Sequence, residues 1–127
     1  MIVVDTSILM AILRGETSRD ASLNALAAET DLRISAGTLV EAYVASEYRG
    51  IGDEMVDLIS SLEIQVVPVT SETAERARLA FQRWGKGRHP ASLNFGDCFS
   101  YALAAQLDCP LLFVGNDFSQ TDIASVL

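Results

Sequence analysis

A chain of 127 residues, half of them hydrophobic and 20% charged, has the apolar mass for one buried core and too much of it for a disordered segment. No apolar run is long enough to span a bilayer, and Asp5 interrupts the apolar amino terminus, so no membrane anchor and no leader are expected, and the chain reads as a single cytoplasmic domain over residues 1–127. The net charge of −8 by itself disfavours a phosphate-rich partner, and Cys98 and Cys109 read as buried thiols in a reducing compartment.

Ile2 to Asp5 is predicted as a short buried strand, apolar until the acid. Thr6 and Ser7 can cap a helix running to Leu13, which ends near Gly15. A second helix is expected from Ser18 to about Glu29, and Leu32 to Ser35 reads as the second strand. Ala36 to Arg49 is predicted helical, with Leu39, Val40, Tyr43 and Val44 as its apolar stripe; a further helix covers Asp53 to Leu62. Ile64 to Val69 is the third strand, and Pro68 puts it at an edge. The helix opened by Ser71 has Ala74, Ala77, Ala80, Phe81 and Trp84 on one face. Gly85 to Asn94 is a loop. Phe95 to Leu107 is the clearest amphipathic helix, with Phe95, Cys98, Phe99, Ala102, Leu103 and Ala105 on one side. Leu111 to Val114 is the fourth strand, Gly115-Asn116-Asp117 a turn, and Ile123 to Val126 a short edge strand.

Strands alternating with helices predict an α/β fold with a central, mostly parallel sheet and helices on both faces. Sites in such sheets form beyond the carboxyl ends of the strands. Asp5 ends the first strand, Glu41 is in the helix after the second, Asp97 is in the first turn of its helix, and Asp117 follows the fourth strand. Four carboxylates brought to one edge repel each other and call for a hard divalent cation with oxygen ligands. Mg²⁺ suits attack on a phosphodiester, since it keeps several waters and accepts carboxylate ligands. Asp5 and Asp97 are the best direct ligands, with Glu41 and Asp117 completing the site directly or through water. Thr6 or Ser7 is positioned to bond a carboxylate or the scissile phosphate, and Asn116 to orient Asp117. Asp122 competes with Asp117 for the fourth place. Taken singly, each acid has a plainer reading: Asp5 as a helix cap, Glu41 as an exposed helix residue, Asp97 as a partner of the helix dipole, Asp117 as a turn residue.

Five of the nine basic residues, Arg76, Arg78, Arg83, Lys86 and Arg88, fall together in a stretch without Asp or Glu that leads up to Asp97. Arg78, Arg83, Lys86 and Arg88 are candidate contacts for a phosphate backbone beside the acidic site; the competing reading is a solvated helix face and loop.

Val4-Asp5-Thr6-Ser7 resembles the opening of the PIN-domain ribonucleases. Glu41 after a short strand, and Leu93-Asn94-Phe95-Gly96-Asp97-Cys98 leading into Tyr101-Ala102-Leu103-Ala104, resemble the VapC toxins of the prokaryotic VapBC toxin–antitoxin systems. Leu111 to Phe118 with Thr121-Asp122 resembles their carboxyl-terminal motif, so the likeness runs nearly end to end. It implies a PIN-like three-layer α/β/α sandwich with four to five strands, and a Mg²⁺- or Mn²⁺-dependent endoribonuclease that cleaves cellular RNA. Its implied partners are a second copy of itself and a VapB-type antitoxin, in a heterotetramer or larger assembly, with an antitoxin tail blocking the acids. Asp5, Glu41, Asp97 and Asp117 match the family's acidic set, Asp5 and Asp97 its most firmly assigned ligands.

Two other readings compete. A non-catalytic binding module with the same fold would show no Mg²⁺-dependent cleavage. A haloacid-dehalogenase-type phosphatase would want a second Asp where Ser7 stands.

Overall fold

The computed structural model describes residues 1–127. In chain order the elements are β1 (Ile2–Val4), α1 (Thr6–Leu13), α2 (Arg19–Ala27), β2 (Leu32–Ser35), α3 (Ala36–Tyr48), α4 (Gly52–Leu62), β3 (Gln65–Val67), α5 (Ser71–Trp84), α6 (Phe95–Leu107) and β4 (Leu111–Leu112). The four strands form one parallel sheet in the order β3-β2-β1-β4. Ile2 pairs with Leu32 on one side of β1, and Val3 with Leu111 on the other.

Alternation along β1 divides the core. Ile2 and Val4 face a cluster built from Ile8, Leu9, Ile12, Leu26, Ala42, Met55 and Ile59, so α1 to α4 cover one face of the sheet. Val3 faces Ala80, Trp84, Cys98, Tyr101 and Leu103, so α5 and α6 cover the other. The result is a three-layer α/β/α sandwich. The strand order turns back at β1: β2 and β3 lie on one side of it and β4 on the other. A parallel sheet opens a crevice at such a point, beyond the strand carboxyl ends, and Asp5 is the residue there, its N–H bonded to the Leu112 carbonyl at 3.0 Å.

Several boundaries fall where the sequence places them, including β2 and α6. The differences have physical causes. The predicted fifth strand is a single parallel bridge between Leu111 and Ser125. The stripe expected on α3 is displaced: Thr38, Ala42 and Ser46 are its buried residues, while Val40 and Val44 are exposed. α3 is pressed against α6 so closely that a Cβ on Gly37 would come within 2.5 Å of the Phe99 ring, and such contact selects small side chains over large ones. α6 buries Gly96, Asp97, Cys98 and Ser100 to Ala104, because it lies between the sheet, α3 and α5. Phe95, placed by periodicity on its apolar face, is 81% exposed. Both thiols, Cys98 and Cys109, are free and buried. No helix is long and apolar enough to cross a membrane.

Candidate active site

Asp5 follows β1 and caps α1, the plainer of its two expected roles, while Thr6 and Ser7, also candidate caps, lie inside the helix. Its Oδ2 accepts from the Ser7 N–H at 3.1 Å and the Ser7 hydroxyl at 2.8 Å. Its Oδ1 accepts from the Ser100 hydroxyl on α6 at 2.6 Å. The residue is 4% exposed. Ser7 in turn accepts the Val114 N–H at 3.2 Å, which fastens the end of β4 to the start of α1.

Asp97 is the third residue of α6. Asn94, the N-cap, accepts the Asp97 N–H at 2.9 Å, and Asp97 Oδ2 accepts the Asn94 N–H at 3.0 Å. This reciprocal box fixes the helix start and the carboxylate together. Asp97 is 7% exposed. Burial pushes its carboxyl up to about 7, opposed by the Asn94 N–H and reinforced by the charges of Asp117, Asp5 and Glu41.

Glu41 reaches the same place from α3. Its Oε1 accepts from the Thr6 hydroxyl at 2.7 Å. Its Oε2 lies against Gly96, where an added Cβ would come within 1.7 Å of it. Burial raises its pKa, the Thr6 hydroxyl lowers it, and Asp5 and Asp117 raise it again. Asp117 is exposed in the loop after β4, near enough for its charge to act on both Glu41 and Asp97. The four acids named from sequence are thus electrostatic neighbours at one edge of the sheet.

Not every expected residue joins them. Asp122 bonds the Tyr101 hydroxyl and lies 3.4 Å from Arg83, in a chain that continues from Tyr101 to the Trp84 indole at 3.0 Å. It serves the α5–α6 contact. Asn116 is exposed and makes no side-chain bond to Asp117; its carbonyl accepts from Ser119. Arg78 pairs with Glu75 at 2.6 Å and lines an apolar groove of about 530 Å³ with Phe81, Phe95 and Phe99. Arg83 pairs with Asp122 and stacks on Trp84. Lys86 has no carboxylate partner, and Arg88 sits over the Phe81 ring at 5.7 Å. Sequence gives Asn94 and Gly96 only as members of a motif, without a role, and does not single out Ser100 or Thr38. Asn94 carried a signal, an Asn three residues before an acid at a helix start.

No ion pair reaches Asp5, Glu41, Asp97 or Asp117. Nor do three acidic side chains converge as a finished ligand cage. An all-oxygen donor set, two members buried and none neutralised by a base, fits Mg²⁺ or Mn²⁺. Mg²⁺ keeps several waters and takes one or two carboxylates in place of a complete protein cage.

The PIN domain family model matches residues 2–124. The chain is 42% identical over 127 residues to Ribonuclease VapC of Mycolicibacterium smegmatis, covering 98% of each protein. It is also 42% identical over 129 residues to Ribonuclease VapC28 of Mycobacterium tuberculosis, covering 98% of this chain and 97% of that one. Among solved structures, Mycobacterium tuberculosis VapC20, a sarcin–ricin loop cleaving toxin, superposes with a TM-score of 0.81 at 20% identity, covering 99% of this chain and 98% of the other. A toxin–antitoxin complex from Klebsiella pneumoniae superposes with a TM-score of 0.72 at 21% identity, over 96% and 93%. The chain belongs to the PIN-domain family and, within it, to the VapC ribonucleases.

Proposed function

We propose that this chain is a divalent-metal-dependent endoribonuclease and the toxin of a type II toxin–antitoxin pair, acting in the cytoplasm. One observation carries the reading: Asp5 and Asp97 are buried beside Glu41 and Asp117 with no basic residue to offset them. Buried like charges are costly unless something compensates them.

Asp5 and Asp97 are the direct ligands of Mg²⁺ or Mn²⁺ in this reading, and Glu41 and Asp117 complete the set directly or through water. A bound ion of this kind supplies an acidified water and offsets charge on the phosphate. The protein's part is placement. Ser7 holds one oxygen of Asp5, and Thr6 holds Glu41. Asn94 keeps one oxygen of Asp97 occupied, leaving the other for the ion. Asp97, with its carboxyl near 7, must give up a proton before it can act as an ionised ligand at neutral pH. Lys86 and Arg88, in the loop that enters α6, are the cations best placed to meet an RNA backbone. An antitoxin arginine inserted among the acids would satisfy them by bidentate bonds and exclude the metal. The partners proposed are therefore RNA, a VapB-type antitoxin and a second copy of the chain.

The test is incubation with total RNA, with and without Mg²⁺ or Mn²⁺, followed by mapping of the cut ends. Defined cuts that vanish with chelator, and with Asp5→Ala or Asp97→Ala, are expected. Wild-type cleavage by both variants removes the proposed site. Absence of metal-dependent cleavage by the native chain favours a binding module.

A further inference from the structure

The buried hydroxyls behind Asp5 have no evident reason to be there unless they serve that carboxylate. Ser100 is in the middle of α6 and Thr38 in the first turn of α3, and both are fully buried. A serine inside a helix most simply bonds a carbonyl one turn back. Ser100 instead reaches across to Asp5 Oδ1 at 2.6 Å, and its oxygen stands 3.1 Å from the Thr38 hydroxyl. The polarity of this chain follows from chemistry. An ionised carboxylate only accepts, so the Ser100 proton is committed to Asp5. The Ser100 oxygen can then only accept from Thr38, which makes Thr38 the donor.

We propose that Ser100, oriented by Thr38, is a positioning residue that locks the Asp5 carboxylate in its metal-binding orientation. Ser7 holds Oδ2 from the amino-terminal side and Ser100 holds Oδ1 from α6, so rotation of the carboxylate costs a hydrogen bond at either oxygen. The bond also ties α6, which carries Asp97, to the end of β1, so two proposed ligands from distant parts of the chain keep one spacing. Outer partners of metal ligands act in this way: they fix the ligand's direction, and their loss weakens metal binding or activity by about 10- to 100-fold. The inference rests on the reading of Asp5 as a metal ligand.

Calorimetric titration of Mn²⁺ alone into the purified chain, beside steady-state RNA cleavage, tests it. Ser100→Ala is expected to weaken Mn²⁺ binding about 10- to 100-fold and to lower kcat, with KM for RNA unchanged because a fully buried residue cannot touch RNA. Thr38→Val keeps the shape and removes the donor, so it should shift both quantities the same way by less. It also carries the test if Ser100→Ala does not fold. The double variant should be no worse than Ser100→Ala, because Thr38 acts only through Ser100. Wild-type Mn²⁺ affinity and kcat in Ser100→Ala overturn the inference while leaving the site reading intact. Fully additive losses also overturn it, since they indicate separate structural roles. If the native chain neither binds Mn²⁺ nor cleaves RNA, the reading of Asp5 falls and this inference falls with it.

Discussion

Asp97 makes the electrostatics of the cluster measurable without any substrate. Its carboxyl is pushed up to about 7, first by burial and then by Asp117, Asp5 and Glu41, whereas in the unfolded chain an aspartate titrates near about 3.9. The folded state therefore holds this proton more tightly than the unfolded state. Below the unfolded value the carboxyl is protonated in both states and imposes no cost. As pH rises the unfolded chain releases its proton first, and the fold loses stability until pH passes about 7. Asp97→Asn cannot ionise, and its amide oxygen still accepts the Asn94 N–H. The metal-free variant should be as stable as wild type near about pH 4 and more stable near about pH 8, by on the order of 2 kcal/mol once the linkage value is discounted for water reaching the cluster. Thermal unfolding with chelator across that range checks it. A wild-type protein at least as stable as Asp97→Asn at the alkaline end would mean that burial and the neighbouring acids do not raise the Asp97 carboxyl as described.

At the level of elements, the meeting of α3 and α6 decides whether Glu41 joins the site. Gly96 is the second residue of α6 and has no need of unusual dihedrals; it is small because Glu41 lies on it. Alanine favours a helix over glycine by about 1 kcal/mol, so Gly96→Ala should fold at least as well as wild type in its helical content. The added methyl must displace the Glu41 carboxylate, and a misplacement of about 1 Å at a catalytic centre costs about 10²-fold. Circular dichroism should be unchanged while kcat/KM falls by that order. Full activity would remove Glu41 from the mechanism. The same contact explains what sequence could and could not disclose. Asp5 and Asp117 were legible because apolar runs stop at or just before them. The start of α6 was legible from the loop that precedes it. Thr38 and Ser100 were not, because small hydroxyl residues in a helix read as surface until another helix is known to press on them. For the same reason periodicity picked Val40 and Val44 for burial: it finds an apolar arc, but close helix packing buried the arc of small residues instead. Asp117 and Asp122 were indistinguishable in sequence, since what separates them is a partner: Tyr101 and Arg83 engage Asp122 from α6 and α5.

At the level of the whole molecule, a chain of net charge −8 proposed to hold RNA must concentrate its few cations. The basic stretch read from sequence is smaller in space than in the chain. Arg76, Arg78 and Arg83 each face a carboxylate, of Glu72, Glu75 and Asp122. Exposed pairs of this kind contribute about 0–1 kcal/mol to stability, but they leave little net positive field. Lys86 and Arg88 alone in that stretch lack an acidic partner, and both lie in the loop between α5 and α6, ahead of Asp97. Each phosphate contact to a single strand contributes about 0.7 to the slope of log affinity against log salt. Lys86→Ala with Arg88→Ala should therefore reduce that slope by about 1.4, whereas Arg78→Ala with Arg83→Ala should change it little. Binding of a labelled single-stranded RNA to the non-cleaving Asp97→Asn background, between about 50 and 200 mM salt, separates the two pairs. An equal fall for both would show that the paired arginines exchange their carboxylates for phosphate on binding. An unchanged slope for Lys86 and Arg88 would put the RNA path on another face, and the loop before Asp97 would then serve α6 alone.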